Sequence, residues 1–184
     1  ENCRDTSLPV KFYLFQGLPK SDKMELIIQK AVELGVEGII PVEMSRCVVK
    51  IEEKKKKSKR DRWQSISESA AKQSKRNSIP QVYDVTSYKN ALKMAEEMDL
   101  ILVPYESKDG MESTRRALSK IEKGMSVGVF IGPEGGFDPN EIAAAEDVGG
   151  QIISLGKRIL RTETAAITSL GMCMLYTELN IDGE

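Results

Sequence analysis

Two unbroken apolar runs constrain this chain more than any other feature. Residues 100–104 read LILVP and residues 127–131 read VGVFI. A strand with one wet face alternates apolar and polar residues; a strand that does not alternate is buried on both faces. Burying both faces takes helices on each side of the sheet, so the fold class is α/β, a mostly parallel sheet flanked by helices. Residues 10–16 (VKFYLFQ), 38–42 (ending near Pro41), 81–85 and 152–155 read as further strands. Helices are expected over 22–34, 61–76, 89–98, 112–123, 140–148 and 163–179. In the first of these, Met24, Ile27, Ile28, Ala31 and Leu34 recur at helical spacing. Asp22 with Glu25 reads as a capping pair, and Gly35 stops the helix. Asp138 and Pro139 mark the start of the helix over 140–148.

Several kinds of chemistry are excluded. The 184 residues contain no histidine, which removes Ser-His-Asp and Cys-His pairs and any imidazole base. Cys3, Cys47 and Cys173 are far apart and form no C-x-x-C, so a zinc site lacks ligands and no metal is expected. Scattered cysteines fit a reducing, cytoplasmic setting. No window reaches 18 consecutive apolar residues, and no charged segment followed by an apolar run opens the chain, so neither a membrane span nor a signal peptide is expected. The length suits one domain that needs no disulfide or metal to fold. The first residue is Glu1, not Met.

Charge is unevenly spread. Residues 50–76 hold 11 Lys/Arg against 4 Asp/Glu, a local net of +7, while the rest of the chain holds 16 against 24. Such a run is either a solvated helix face or a phosphate-binding patch that the overall net charge of -1 hides. Trp63 inside it reads as a core anchor.

In parallel sheets, ligands bind beyond the carboxyl ends of the strands. The loops found there are Tyr105-Glu106, the GPEGGF segment 132–137, and the GKRILRTETA segment 156–165. GPEGGF matches neither the dinucleotide nor the P-loop glycine pattern, and Glu134 would repel a pyrophosphate. It suits either a plain strand-to-helix turn or a tight loop whose backbone approaches a flat, non-phosphate ligand. Thr162 is expected to cap the last helix, with Glu163 complementing its positive end. The small residues Thr164, Ala165, Ala166, Thr168, Ser169 and Gly171 permit close packing around that helix.

GPEGGF followed some twenty residues later by LGKRILRTETA resembles the RsmE family of the SPOUT superfamily, RNA methyltransferases that act on N3 of a uridine in small-subunit (16S) ribosomal RNA. The similarity continues through KSDKMELIIQKAVELGVEGIIPVEMSRCVVK and RWQSISESAAKQSKRNSIPQV, and so over nearly the whole chain. Family members usually carry an N-terminal PUA-like β-barrel, and this chain begins near the start of the methyltransferase domain. Many members read EQSGR where this sequence has Lys72-Gln73-Ser74-Lys75-Arg76.

The resemblance implies a single SPOUT domain over 1–184 with a deep C-terminal trefoil knot, the cofactor-binding knot region covering about 100–180. It implies S-adenosylmethionine as cofactor, held by Val103, Pro104, Tyr105, Ile131, Gly132, Pro133, Glu134, Gly135, Leu155, Gly156, Ile159, Leu160, Arg161 and Thr162. RNA-contacting candidates are Arg46, Lys55, Lys57, Arg60, Lys72 and Arg76. Displacement at a sulfonium carbon needs no metal and no covalent nucleophile. The uridine N3 proton must still leave. Glu134, Glu163 and water are the candidate acceptors, with Arg161 stabilising the uridine anion. Expected partners are ribosomal RNA in the assembling small subunit and a second copy of the chain, packed through the C-terminal helix. A SPOUT enzyme acting on another RNA atom, such as a ribose 2′-hydroxyl, and a non-catalytic RNA-binding module on the same fold are the alternatives.

Overall fold

A computed structural model describes residues 4–181, so Cys3 lies outside the described residues. Strands and helices alternate in the order β1 (Lys11–Gly17), α1 (Lys23–Glu33), β2 (Gly38–Glu43), α2 (Glu53–Gln73), β3 (Gln81–Val82), β4 (Thr86–Ser87), α3 (Tyr88–Glu96), β5 (Leu100–Pro104), α4 (Met111–Leu118), β6 (Ser126–Ile131), α5 (Pro139–Asp147), β7 (Gln151–Ile153) and α6 (Thr162–Asn180). The two apolar runs pair with each other, residues 100–102 lying beside 127–129. The sheet order is β3-β2-β1-β6-β5-β7, with β4 also on β2, and the pairings are parallel.

The strands lack alternation because they feed two cores. Phe12, Leu14, Ile39, Leu100, Leu102, Val127, Val129 and Ile131 face α1, α2, α4 and α6. Phe15, Ile40, Val42, Ile101, Val103 and Phe130 face α3 and α5. Successive residues thus bury on opposite sides, and each large side chain taken from water contributes about 1.5–3 kcal/mol. Phe15 and Phe130 stack at the centre of the second core, ring centroids 4.4 Å apart.

Five local expectations are corrected. α2 starts at Glu53, eight residues before 61, because Lys and Glu favour helix without any apolar period to announce it. Lys56 is clamped there between Glu43 at 2.8 Å and Glu53 at 2.9 Å. β2 runs through Pro41, because the outer ladder is interrupted there: β3 pairs with Gly38 and Ile39, β4 with Val42 and Glu43. The missing proline N–H therefore costs no ladder bond on that side, and the strand expected over 81–85 is cut to Gln81–Val82, with β4 a separate strand beyond it. Asp22 precedes α1 without a side-chain cap bond, and Glu25 pairs instead with Arg62 on α2. Helix α4 ends at Leu118, short of 123.

Candidate active site

A cleft of about 530 Å³ opens at the carboxyl ends of β5 and β6. Its floor is the GPEGGF loop. Gly136 has φ +73°, a conformation that favours glycine, and its N–H donates to the Pro133 carbonyl at 2.8 Å to close the turn. A Cβ on Gly132 would sit 3.1 Å from the Gly136 carbonyl carbon and 3.2 Å from the Phe137 nitrogen, so backbone packs on backbone. Phe137 is buried beneath, edge-on to Tyr105 at 6.3 Å. The other wall is the segment entering α6. Ile159 there is 101% exposed, an apolar side chain on the cleft lip with nothing over it.

One side chain ties the two loops. Thr162 is 5% exposed; its hydroxyl donates to the Gly132 carbonyl at 2.7 Å and accepts from Gln16 Nε2 at 2.9 Å. The N-cap of α6 is Arg161, without a side-chain cap bond. The expected capping role of Thr162 is therefore corrected: its hydroxyl is taken by the loop opposite. The segment after β2 is fastened to the same floor. Glu141, buried in α5, accepts from Ser45 N at 3.1 Å, and Arg46 Nη1 donates to the Gly135 carbonyl at 3.2 Å.

The acidic residues of the site converge on a lysine. Lys23 Nζ lies 3.5 Å from Glu134 Oε1 and 3.6 Å from Glu163 Oε2. Glu134 Oε1 also accepts from the Lys20 backbone N–H at 2.8 Å. Burial pushes the Glu134 carboxyl up, but the Lys20 N–H and the Lys23 ammonium outweigh it and hold the group below its ordinary value. Glu134 therefore stays ionised and is a weak proton acceptor. Glu163 Oε2 is buried and accepts no hydrogen bond.

Of the expected cofactor residues, Pro104, Tyr105, Ile131, Gly132, Pro133, Glu134, Gly135, Ile159, Leu160, Arg161 and Thr162 line the cleft, joined by Lys23, Gly136, Phe137 and Ala165. Val103, Leu155 and Gly156 stand outside the lining. Val103 points into the α3/α5 core, since only the last residues of a strand reach its end. Leu155 is half-buried, and Gly156 turns the chain at φ +106°, its N–H bonded to Ser154 Oγ at 3.1 Å. Sequence reading missed Lys23 because a lysine opening a helix is commonplace. The signal available was its place at the start of the helix that follows β1, at the ligand-binding end of the sheet.

The basic run divides into free and engaged cations. Lys55, Lys57 and Lys72 are exposed on α2. Arg60 pairs with Asp61 and Asp84. Arg76 is half-buried and donates to the carbonyls of Val36 at 2.7 Å and Val32 at 3.1 Å, closing the end of α1. Burial lowers the pKa of its guanidinium, and its donors serve the fold. Among the described residues no helix is long and apolar enough to cross a membrane, and no group of three or more His, Cys, Asp or Glu could hold a metal.

Known proteins are similar to this chain in sequence and fold. Residues 6–174 match the model of the RNA methyltransferase domain family. A ribosomal RNA small subunit methyltransferase E of Bacillus subtilis is 45% identical over 175 residues, covering 94% of this chain and 68% of that protein. A Legionella pneumophila protein solved with bound S-adenosylmethionine is 37% identical at a TM-score of 0.81, covering 93% of this chain and 68% of that one. The Neisseria gonorrhoeae ribosomal RNA small subunit methyltransferase E, also solved with S-adenosylmethionine, is 34% identical at a TM-score of 0.81, covering 92% and 68%.

Proposed function

The chain belongs to the RNA methyltransferase family that includes ribosomal RNA small subunit methyltransferase E, and from that premise we propose that it methylates N3 of a uridine in small-subunit (16S) ribosomal RNA, using S-adenosylmethionine. The observation that carries the reading is the tethered pair of loops, Thr162 joined to Gly132, around a cleft of the size that takes a small ligand. The cleft fits the cofactor. Ile131, Leu160 and Ile159 offer apolar cover for a flat base, and side-chain-free backbone at 132, 135 and 136 offers polar edges. Glu134, which speaks against a pyrophosphate, is compatible with a cofactor that carries no phosphate, and its carboxylate is already held by Lys23 and the Lys20 N–H.

S-adenosylmethionine, when bound, supplies an electrophilic methyl group on a sulfonium. This chain's residues hold and orient the reactants. Thr162 and Gln16 fix the cleft walls. Arg161, whose guanidinium forms no ion pair or hydrogen bond among the described residues, is placed at the lip to meet an anion. Glu134 and Glu163 act as anchors for Lys23, and the N3 proton passes to water.

Lys55, Lys57 and Lys72, with Arg46 beside the cleft, contact RNA phosphates in the assembling small subunit. Two copies pair through α6, where Leu175 and Leu179 are 54% and 77% exposed one turn apart, with Leu26 of α1 exposed as well. The whole chain is one cytoplasmic SPOUT domain, and its C-terminal half, around α6, carries the trefoil knot.

Calorimetry with S-adenosylmethionine, followed by nucleoside analysis of small-subunit RNA, tests the proposal. The expected result is saturable binding and 3-methyluridine. Gly135→Val should weaken binding at least tenfold; its side chain would press on Arg46, whose Cβ and carbonyl oxygen lie 3.0 and 3.1 Å from the position of a Cβ. A methylated ribose instead would assign the chain to another SPOUT reaction, and no cofactor binding would leave an RNA-binding module.

A further inference from the structure

Lys23 is the first residue of α1 and lines the cleft. Its side chain is 29% exposed, and its two carboxylate contacts are long, 3.5 and 3.6 Å, one from the GPEGGF loop and one from the start of α6. An ammonium carries three donors, so loose pairing with two carboxylates leaves one free to face the cleft. Two further facts set its role. Glu134 is fixed by the Lys20 N–H, and Glu163 Oε2 is buried with no hydrogen bond of its own. The pair therefore cannot follow a ligand, but it can keep one cation in one place. Positioned charge of this kind, aimed where negative charge develops, is the strongest single device available to an enzyme.

Resting on the methyltransferase reading above, we propose that Lys23 is a catalytic residue: its ammonium donates to a carbonyl oxygen of the target uracil and holds the charge of the ring once N3 is deprotonated. The N3–H bond breaks with its electron pair left on nitrogen, and the proton passes to water. That pair forms the new N–C bond as the C–S pair returns to sulfur. Glu134 and Glu163 are positioning residues that act through Lys23. The other charged or titratable side chains lining the cleft are Arg161 and Tyr105, and Asp22 precedes Lys23 in the chain.

The test compares Lys23→Gln, Lys23→Arg and the double variant Lys23→Gln/Glu163→Gln with the parent, on small-subunit particles lacking the modification. Calorimetric affinity for S-adenosylmethionine and thermal melting are measured alongside. Lys23→Gln should lower kcat by about 100-fold to 1000-fold while cofactor affinity stays within about twofold of the parent. A cation near N3 favours the ionised ring, so the rising limb of the pH–rate profile should move to higher pH in Lys23→Gln and stay near the parent in Lys23→Arg. The double variant restores the parent's charge count. If Lys23 only neutralises the glutamates, the double variant recovers the parent rate and profile, and the proposal is overturned; it should instead remain slow. An unchanged rate in Lys23→Gln overturns it equally. A parent chain that binds no cofactor, or forms no 3-methyluridine, refutes the functional reading rather than this role of Lys23.

Discussion

Replacing Thr162 by Val tests whether the two loops are held by one hydroxyl. Valine matches threonine in shape, so no cavity forms, and the change removes only the bonds at 2.7 Å to Gly132 and 2.9 Å from Gln16. Gln16 is wholly buried; its Nε2 keeps the Gly17 carbonyl at 2.9 Å but is left without its second acceptor. Each such bond contributes about 0.5–1.5 kcal/mol, and a buried group left unpaired costs about 1–3 kcal/mol. The expected loss is about 2–3 kcal/mol. For a chain of this size that is about 5–10 °C in Tm, read by thermal denaturation. Thr162→Ser keeps both bonds and gives up one methyl, about 1 kcal/mol. Cofactor affinity should fall with Val and hold with Ser, because the Gly132 loop is released only in the first. A double-mutant cycle with Gln16→Leu should show a coupling energy of about 0.5–3 kcal/mol. If the two changes are additive, Thr162 acts alone at the helix start, and the tether account is wrong.

Three further outcomes are expected. Reversing Lys55, Lys57 and Lys72 to Glu should weaken RNA binding and flatten its salt dependence by about 0.7 in slope for each phosphate no longer neutralised; adding Arg60 to the set should change less, since it is already paired, and an unaltered slope would mark α2 as a solvated face. Leu175→Glu with Leu179→Glu should give a monomer by light scattering, whereas changes at Met174 and Tyr176 act mainly on folding, both being half-buried and Tyr176 packed on the core. The folded-state pKa of Glu134 is held below its ordinary value, so its contribution to stability is complete above the ordinary carboxylate range and disappears as pH falls through the lowered value; Glu134→Gln should therefore lower stability near neutral pH and make the acid limb of a stability–pH curve less steep.

The sheet was legible because burial on both faces leaves a direct mark, as LILVP and VGVFI show. Helix α2 was half legible: Trp63, Ile66 and Ala70 announce its later turns, but its lysine-rich first turns have no period to read. The site was legible where backbone dictates residue type, as at Gly132 and Gly136. It was illegible where a side chain works across the fold. Thr162 looks like a cap from its neighbours, and only the opposite wall reveals its partner. Lys23 and Glu163 are 140 residues apart in the chain, and no local pattern joins them. Arg76 reads as one more member of a basic run, and only the carbonyls of Val32 and Val36 give it a place.

The sheet order has a consequence for how the chain is made. β1 lies between β2 and β6, so the first half of the sheet ends in the open edge of β1 until residue 131 has been synthesised. That edge carries Phe12, Leu14 and Phe15, which are buried on both faces in the finished protein. An unpaired apolar edge is a template for another strand. During translation the nascent half-protein therefore presents a sticky seam for as long as the ribosome takes to deliver β6, and slow codons or truncations between β2 and β6 should send it to chaperones or to aggregates rather than to the native sheet.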